Sequence, residues 1–158
     1  MGHESKPTVH SRTRGTIVAD AMIAEMNAAK WIQAFTAQRY YVAPLDKDAT
    51  KVMRVLVQVN DTEDIRINRM YRQLTHAITI ALRRLTDPKV IAAVDTLAKL
   101  MQDIADFYRV PRGRHKIAGT NAYVVDVREM APDPSELEFN MQFFAALNLA
   151  VVELVSEP

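Results

Sequence analysis

Residues 74–108 read LTHAITIALRRLTDPKVIAAVDTLAKLMQDIADFY and contain a strand pattern followed by a helix pattern. In the first part, apolar side chains alternate with polar ones, which predicts a strand with one buried side. A histidine among apolar neighbours is more often a hydrogen-bonded residue at a sheet edge than a metal ligand, and we expect this of His76. The side expected to face the core consists of Leu74, His76, Ile78, Ile80 and Leu82.

The second part of this stretch predicts a helix that ends at Tyr108. Asp87 can cap this helix, and Pro88 suits its first turn. Apolar residues then recur at i, i+3 and i+4, which is typical of a helix with one face on a core. Asp95 and Lys99 are spaced to form an i, i+4 ion pair on the exposed face. The expected core face comprises Val90, Ile91, Val94, Leu97, Leu100, Met101, Ile104 and Tyr108.

The rest of the chain supplies elements that can pair with this strand or pack on this helix. Residues 17–29 predict an amphipathic helix, with Thr13 or Thr16 as its cap. Alternating or β-branched residues predict four more strands, over 32–42, 52–59, 122–129 and 143–154. The last of these is apolar on both faces, so we place it in the centre of the sheet or at an interface.

The predicted element order is α-β-β-β-α-β-β, which indicates an α+β fold. Two main helices cannot cover both faces of a parallel five-stranded sheet. We therefore expect a mixed, mostly antiparallel sheet of four to five strands with both helices packed on it. Residues 15–155 form one predicted domain. Residues 1–14 show no periodic apolar signal and predict a flexible N-terminal arm.

Composition excludes several classes of protein. The 158 residues carry 20 basic and 19 acidic side chains, a net charge of +1, which argues against a dedicated nucleic-acid binder. The absence of cysteine excludes disulfides, thiolate zinc sites and cysteine nucleophiles. The polar N-terminus lacks the apolar core of a secretory signal, and the longest apolar run is too short to span a bilayer. We therefore expect a soluble protein with no membrane partner.

No catalytic motif is present in the sequence. The histidines form no HExxH pair, no serine lies in GxSxG, and no GxGxxG or GxxxxGK[ST] loop occurs. Glu136 and Glu138 would need a pocket before they indicated catalysis. We therefore expect a protein that is not an enzyme, with no catalytic residue, no metal and no cofactor.

Residues 60–73, NDTEDIRINRMYRQ, form a charged connection between two predicted strands. A simple hairpin needs only about two to five residues here. The extra length indicates either a long protruding hairpin or a functional loop, and a solvated or subunit-facing segment is favoured over a magnesium site. A magnesium site is disfavoured because no phosphate-binding glycine loop is nearby. The candidate contacts with other subunits or a tube are Asp61, Glu63, Asp64, Arg66, Arg69 and Arg72.

A second charged segment, the basic loop, follows the predicted second helix. Its functional interpretation is contact with DNA phosphates, which requires several subunits to repeat it around a channel. Its simpler interpretation, which is favoured, is a solvated loop in which Arg109 complements the helix dipole. The basic side chains are Arg109, Arg112, Arg114, His115 and Lys116.

Over residues 17–155 the chain resembles the tail terminator family of long-tailed bacteriophages, also called tail completion or minor tail proteins. After the first helix, the resemblance includes FTAQRYYVAPLDKDATKVMRVLVQV (35–59) and YRQLTHAITIALRRL (71–85). It continues through VDTLAKLMQDIADFYR (94–109) and ELEFNMQFFAALNLAVVEL (136–154). The order and spacing of these pieces carry the resemblance, and the first piece is the most specific.

The resemblance implies an α+β subunit of a virion, made in the host cytoplasm, that assembles into a homo-oligomeric ring, typically a hexamer. Such a ring caps the tail tube protein, ends its polymerisation and joins it to the head–tail connector. DNA passes through the lumen without sequence specificity, and no catalytic residue is carried over. The basic loop and the N-terminal arm depart from the family pattern. A neck protein that joins head and tail, and a small ligand-binding regulatory domain, remain alternatives.

Overall fold

A single sheet carries the fold in the computed structural model, which describes residues 13–41, 51–110 and 112–156. Its six strands are β1 (Ala37–Arg39), β2 (Arg54–Arg66), β3 (Tyr71–Leu85), β4 (His115–Lys116), β5 (Ala122–Met130) and β6 (Gln142–Ser156). The helices are α1 (Arg14–Ala28), α2 (Ile91–Tyr108) and α3 (Pro134–Asn140). The strand order is β1-β2-β3-β6-β5-β4. The predicted α+β class is confirmed, with six strands instead of four to five.

Strand pairing makes the sheet mixed but mostly antiparallel. β1 pairs with β2 in parallel, whereas β2–β3, β3–β6, β6–β5 and β5–β4 are antiparallel. The apolar strand predicted over 143–154 is β6, and it lies between β3 and β5. Its position suits its composition, because apolar side chains on a central strand pack against those of the strands on either side.

The core lies between one face of the sheet and the two long helices. Alternate residues of β3 and β6 point into it, and α1 and α2 meet there, with Tyr108 Oη donating to Met22 O at 3.4 Å. Burial raises the pKa of Tyr108 above its ordinary value. We call the side of the sheet that carries the helices the helix face, and the other side the open face.

The start of α1 shows that the predicted arm was drawn too long. The helix begins at Arg14, and the side-chain oxygen of Thr13 accepts a hydrogen bond from Thr16 N at 3.1 Å. Thr13 is therefore the cap, one of the two candidates, because its extended backbone brings its hydroxyl to the free amides of the first turn. Residues 13 and 14 belong to the domain. Residues 1–12 lie outside the described part.

The start of α2 corrects a second prediction. Asp87 Oδ1 accepts from Lys89 N at 2.9 Å, so it closes a turn before the helix instead of capping it. The helix begins at Ile91, which is 71% exposed, and Val90 is 50% exposed, so these two residues do not belong to the core face. The helix contacts the sheet only after its first turn. The spacing of apolar residues does not predict where along the helix this contact begins.

The exposed ion pair on α2 also differs from the prediction. Lys99 Nζ binds Asp103 Oδ1 and not Asp95. Lys99 has a carboxylate one turn away on either side, and i, i+4 spacing cannot choose between them. The hydrogen bond to Asp103 raises the pKa of Lys99.

The strand predicted over 32–42 is reduced to three residues, with 42 outside the described part. Trp31 Nε1 donates to Met26 O at 2.8 Å and closes the end of α1. The Trp31 ring also packs against Phe35 and Phe107, with centroids 5.5 and 5.3 Å apart. These aromatic residues join α1 to α2, so their β propensity was misleading here, since tertiary packing overrides it.

Two short elements, α3 and β4, were not predicted from the sequence. Asp133 Oδ1 accepts from Ser135 N at 3.0 Å and Glu136 N at 3.4 Å, which caps α3. Its signal was present, because an aspartate followed by proline at the first helical position is a helix start. Met141 ends α3 with a left-handed backbone, φ 53°. The two-residue β4 is too short for any pattern to reveal.

Candidate functional site

A buried polar cluster joins α1 to the middle of the sheet. His76 is fully buried on β3, and its Nε2 lies 3.0 Å from Glu153 Oε1 on β6. Its Nδ1 lies 2.9 Å from Thr62 Oγ1 on β2. Arg14 donates from Nε and Nη2 to the two oxygens of Glu153, at 3.2 and 3.0 Å. A carboxylate only accepts hydrogen bonds, so Nε2 of His76 carries the hydrogen.

The electrostatics of this cluster favour an ionised Glu153. Burial alone would raise the pKa of Glu153, but hydrogen bonds from His76 and Arg14 outweigh it and hold the pKa below its ordinary value. The same hydrogen bond from Arg14 raises the pKa of the guanidinium. Both ring nitrogens of His76 are engaged and none of the ring is exposed, so the cluster's geometry is that of a structural network.

The prediction for His76 was right about hydrogen bonding and wrong about its place. β3 lies between β2 and β6, so His76 is central and not at an edge. A single strand's pattern carries no information on strand order, which explains the error. Its partners Glu153 and Arg14 were missed. Glu153 did leave a signal, because it continues the buried alternation of Phe143 to Val151 on β6 with a charged residue.

Residues 60–72 form a long hairpin, the first of the two alternatives that the length of this segment indicated, and β6 runs beside β3 as far as Tyr71. β2 and β3 stay paired up to Arg66 and Arg72, and a bulge separates Val59 from Asp61. At the tip, Asn68 Oδ1 accepts from Met70 N and Tyr71 N, at 2.8 and 3.0 Å. These bonds close the turn. We call residues 60–72 the hairpin.

The predicted contact residues are distributed along this hairpin. Asp61, Glu63, Asp64 and Arg66 lie on β2, Arg69 lies in the turn, and Arg72 lies on β3. Arg72 is half-buried and its Nη1 lies 3.5 Å from Asp64 Oδ2, while the other five residues are exposed. β2 thus carries all three carboxylates of the hairpin, and the arginines cluster towards the tip.

The hairpin also presents apolar side chains to solvent. Ile65 is 47% exposed, Ile67 51%, Met70 64% and Tyr71 42%. Grouped exposed apolar residues on a small protein mark an interaction site more often than scattered ones do. Sequence reasoning had singled out only the charged residues of this segment.

The five residues of the basic loop do not act as one patch. His115 Nε2 lies 3.1 Å from Glu25 Oε2 on α1, and its ring packs against Phe107 and Tyr108 on the helix face. Arg109 lies along β5, where Nη1 binds Glu129 Oε2 at 3.0 Å and Nη2 donates to the carbonyl of residue 127 at 2.9 Å.

The other three basic side chains of the loop point to solvent. Arg112, Arg114 and Lys116 are exposed, and none has an ion-pair partner within the described residues. A depression of about 440 Å³ separates the loop from β5, and Arg109 and Arg114 contribute to its lining. These cations remain available for a partner that is negatively charged.

Neither a metal-binding group nor a membrane-spanning helix occurs in residues 13–41, 51–110 and 112–156. No group of three or more His, Asp or Glu side chains that could hold a metal occurs among them, and this includes the carboxylates of the hairpin. Within the same ranges, no helix has the length and apolar character needed to cross a membrane.

Comparison with known proteins gives no family assignment: no protein-family model matches the chain, and no curated protein matches it either.

Proposed function

We propose that this protein is a virion subunit, a tail terminator, whose ring caps the tail tube, ends its polymerisation and joins it to the head connector. The observation that carries the proposal is the hairpin. It continues β2 and β3 from Asp61 to Arg72, with β6 paired to β3 as far as Tyr71, and places exposed apolar side chains at its tip. Residues 60–71 are all exposed, so this segment contributes little to its own domain's core and is suited to contact a partner.

The energetics of the hairpin tip support an assembled state. Burying a large apolar side chain is worth about 1.5–3 kcal/mol. Four such side chains lie in water on the isolated chain: Ile65, Ile67, Met70 and Tyr71. Contact with a neighbouring subunit or with the tube protein would bury them, which offsets the cost of association.

The charge distribution and the sequence resemblance support a ring. The hairpin carries Asp61, Glu63 and Asp64 before its tip arginines, and basic residues lie on the loop after α2, so these two different surfaces can meet head to tail. Contacts of this kind close into rings when the rotation between subunits closes. The exposed Arg112, Arg114 and Lys116 offer such a ring cations for DNA phosphates or for an acidic protein surface.

Particles made without this protein test the proposal. We expect overlong tails in electron micrographs when its coding sequence is deleted, and normal tail lengths when the wild-type protein is supplied in trans. Tails of normal length that fail to attach to heads would identify a neck protein instead. Normal, fully assembled particles would contradict both virion roles.

A further inference from the structure

Glu63 and Lys116 lie at the two ends of one row that crosses the sheet. Glu63 on β2 is opposite Thr75 on β3, and Thr75 is opposite Val152 on β6. Val152 is opposite Tyr123 on β5, and Tyr123 is opposite Lys116 on β4. Residues of one row share a face of the sheet, so both charged side chains lie on the open face.

The neighbours of these two residues carry matching charges. Thr62 points to His76 on the helix face, so Asp61 and Glu63 are placed away from it by the alternation of a strand. His115 points to Glu25 on the helix face, so Lys116, the next residue of β4, points away, and the exposed Arg114 directly precedes the strand. At this level of the sheet, β2 therefore carries Asp61 and Glu63 on one side, and the opposite side carries Arg114 and Lys116, while Asp126 nearby is paired with Arg128.

Both charged sides lack a covering strand among the described residues. β1 pairs with β2 only over Val55–Val57, which leaves the outer side of β2 open from residue 59 to 66. On the other side, β4 pairs with β5 only at Tyr123 and Val124. The depression of about 440 Å³ lies there, between the basic loop and β5.

We propose that the acidic outer side of the hairpin in one subunit binds the basic loop of the next subunit, with Glu63 against Lys116 and Asp61 near Arg114. The occupant of each charged side is thus a second copy of this chain. The inference rests on the proposed function and specifies how the ring is held together. Because the two residues share a row, a neighbour placed beside the sheet in the same orientation brings them together.

A head-to-tail contact is the arrangement that these charges favour. A two-fold contact in which Glu63 met its own copy would set acid against acid, and one in which Lys116 met its own copy would set base against base. Like charges directly opposite one another destabilise strand pairs and interfaces. Opposite charges on opposite sides favour continued addition until the ring closes.

Charge reversal tests the contact directly. The acid variant carries Asp61→Lys and Glu63→Lys, and the base variant carries Arg114→Glu and Lys116→Glu. All four positions are exposed, so both variants should fold. By light scattering, we expect each variant alone to lose the ring, with the subunit dissociation constant raised about tenfold or more. Asp95→Lys with Glu138→Lys, an equal charge change at exposed positions elsewhere, should assemble like the wild type.

Mixing the two variants distinguishes a specific contact from general charge effects. In a one-to-one mixture, every interface can again pair opposite charges if the variants alternate, so rings with an even number of subunits should reappear. Variants that assemble normally on their own would contradict the proposed contact between subunits but would leave ring assembly itself possible. So would a mixture that stays dissociated. A wild-type chain that is monomeric at its highest soluble concentration would also contradict the proposed contact. The proposed function is tested separately, by the measurement of tail length.

Cysteine cross-linking supplies a second readout, because the natural chain has no cysteine. Glu63→Cys mixed with Lys116→Cys should give disulfide-linked dimers under mild oxidation, since a disulfide requires Cβ atoms about 3.5–4.5 Å apart. Glu138→Cys mixed with Lys116→Cys is the matched control. Cross-linking no faster than in this control, under conditions where the wild type is oligomeric, would overturn the proposal.

Discussion

His76 Nε2 donates a hydrogen bond to Glu153 Oε1 across 3.0 Å, and this bond joins two central strands at the point where Arg14 of α1 binds the same carboxylate. Replacing Glu153 by alanine leaves His76 buried without its acceptor. We expect the free energy of unfolding in urea to fall by about 1–3 kcal/mol, as for a buried donor left without its hydrogen-bond partner. Glu129→Ala removes a carboxylate that binds Arg109 at the surface and should cost less than about 1 kcal/mol. Equal losses would contradict the role assigned to Glu153.

The lowered pKa of Glu153 predicts a pH dependence of stability. The folded pKa lies below the ordinary value of 4.5, so the unfolded chain binds the proton more readily. The stabilisation is complete above about pH 4.5 and is lost as the pH falls through the folded value. Urea unfolding at a series of pH values should therefore show the difference between wild type and Glu153→Gln shrinking in acid. His76 and Arg14 face the side chain of residue 153 in both proteins, and only the wild type has a carboxyl group there to titrate. A difference that stays constant with pH would contradict the prediction.

Leu97 on α2 should tolerate no charge. It is 3% exposed within the core between helix and sheet, so Leu97→Asp would bury an unpaired carboxylate. We expect the loss of cooperative folding, measured by near-ultraviolet circular dichroism and urea titration. Ala98→Asp, one position along on the exposed side of the same helix, should leave a folded protein. A folded Leu97→Asp protein would contradict the packing of Leu97 and α2 against the core.

Gly15 should be intolerant of a methyl group although it lies in a helix. A Cβ atom there would lie 2.9 Å from Val59 Cγ1 and 3.3 Å from His76 Nδ1. We expect Gly15→Ala to destabilise by about 1–3 kcal/mol through overpacking against the sheet. Helix propensity alone predicts a gain of about 1 kcal/mol. Thermal unfolding distinguishes the two signs, and Ala24→Gly at an exposed position of α1 calibrates the propensity term.

The hairpin tip should matter for assembly and not for folding. Ile67→Ser with Met70→Ser changes exposed side chains, so the free energy of unfolding should change by less than about 0.5 kcal/mol for each. Ring formation, followed by light scattering, should be lost because the apolar contact is removed. Ile32→Ser with Val52→Ser, at two exposed apolar positions outside the hairpin, should assemble normally. Unchanged assembly of the tip variant would show that the contact between subunits does not involve the hairpin tip.

Local pattern predicted the elements whose period is strong and failed where packing chose between alternatives. β3, α2 and β6 were found because several turns or alternations repeat in each. Trp31 and Phe35 look like strand residues by propensity, yet their rings close the end of α1 and pack against α2. α3 has no buried residue, so hydrophobic periodicity could not reveal it, whereas its cap at Asp133 could have.

The sequence by itself determined the α+β class, the core side of the central strands and the absence of cysteine chemistry. These follow from composition and from side-chain periodicity, which are local properties of the chain. Only the tertiary structure decided that His76 meets Glu153, 77 positions away, and that Glu63 and Lys116 end the same row. Such relationships depend on strand order and register. These are set by packing between distant segments, so no local pattern contains them.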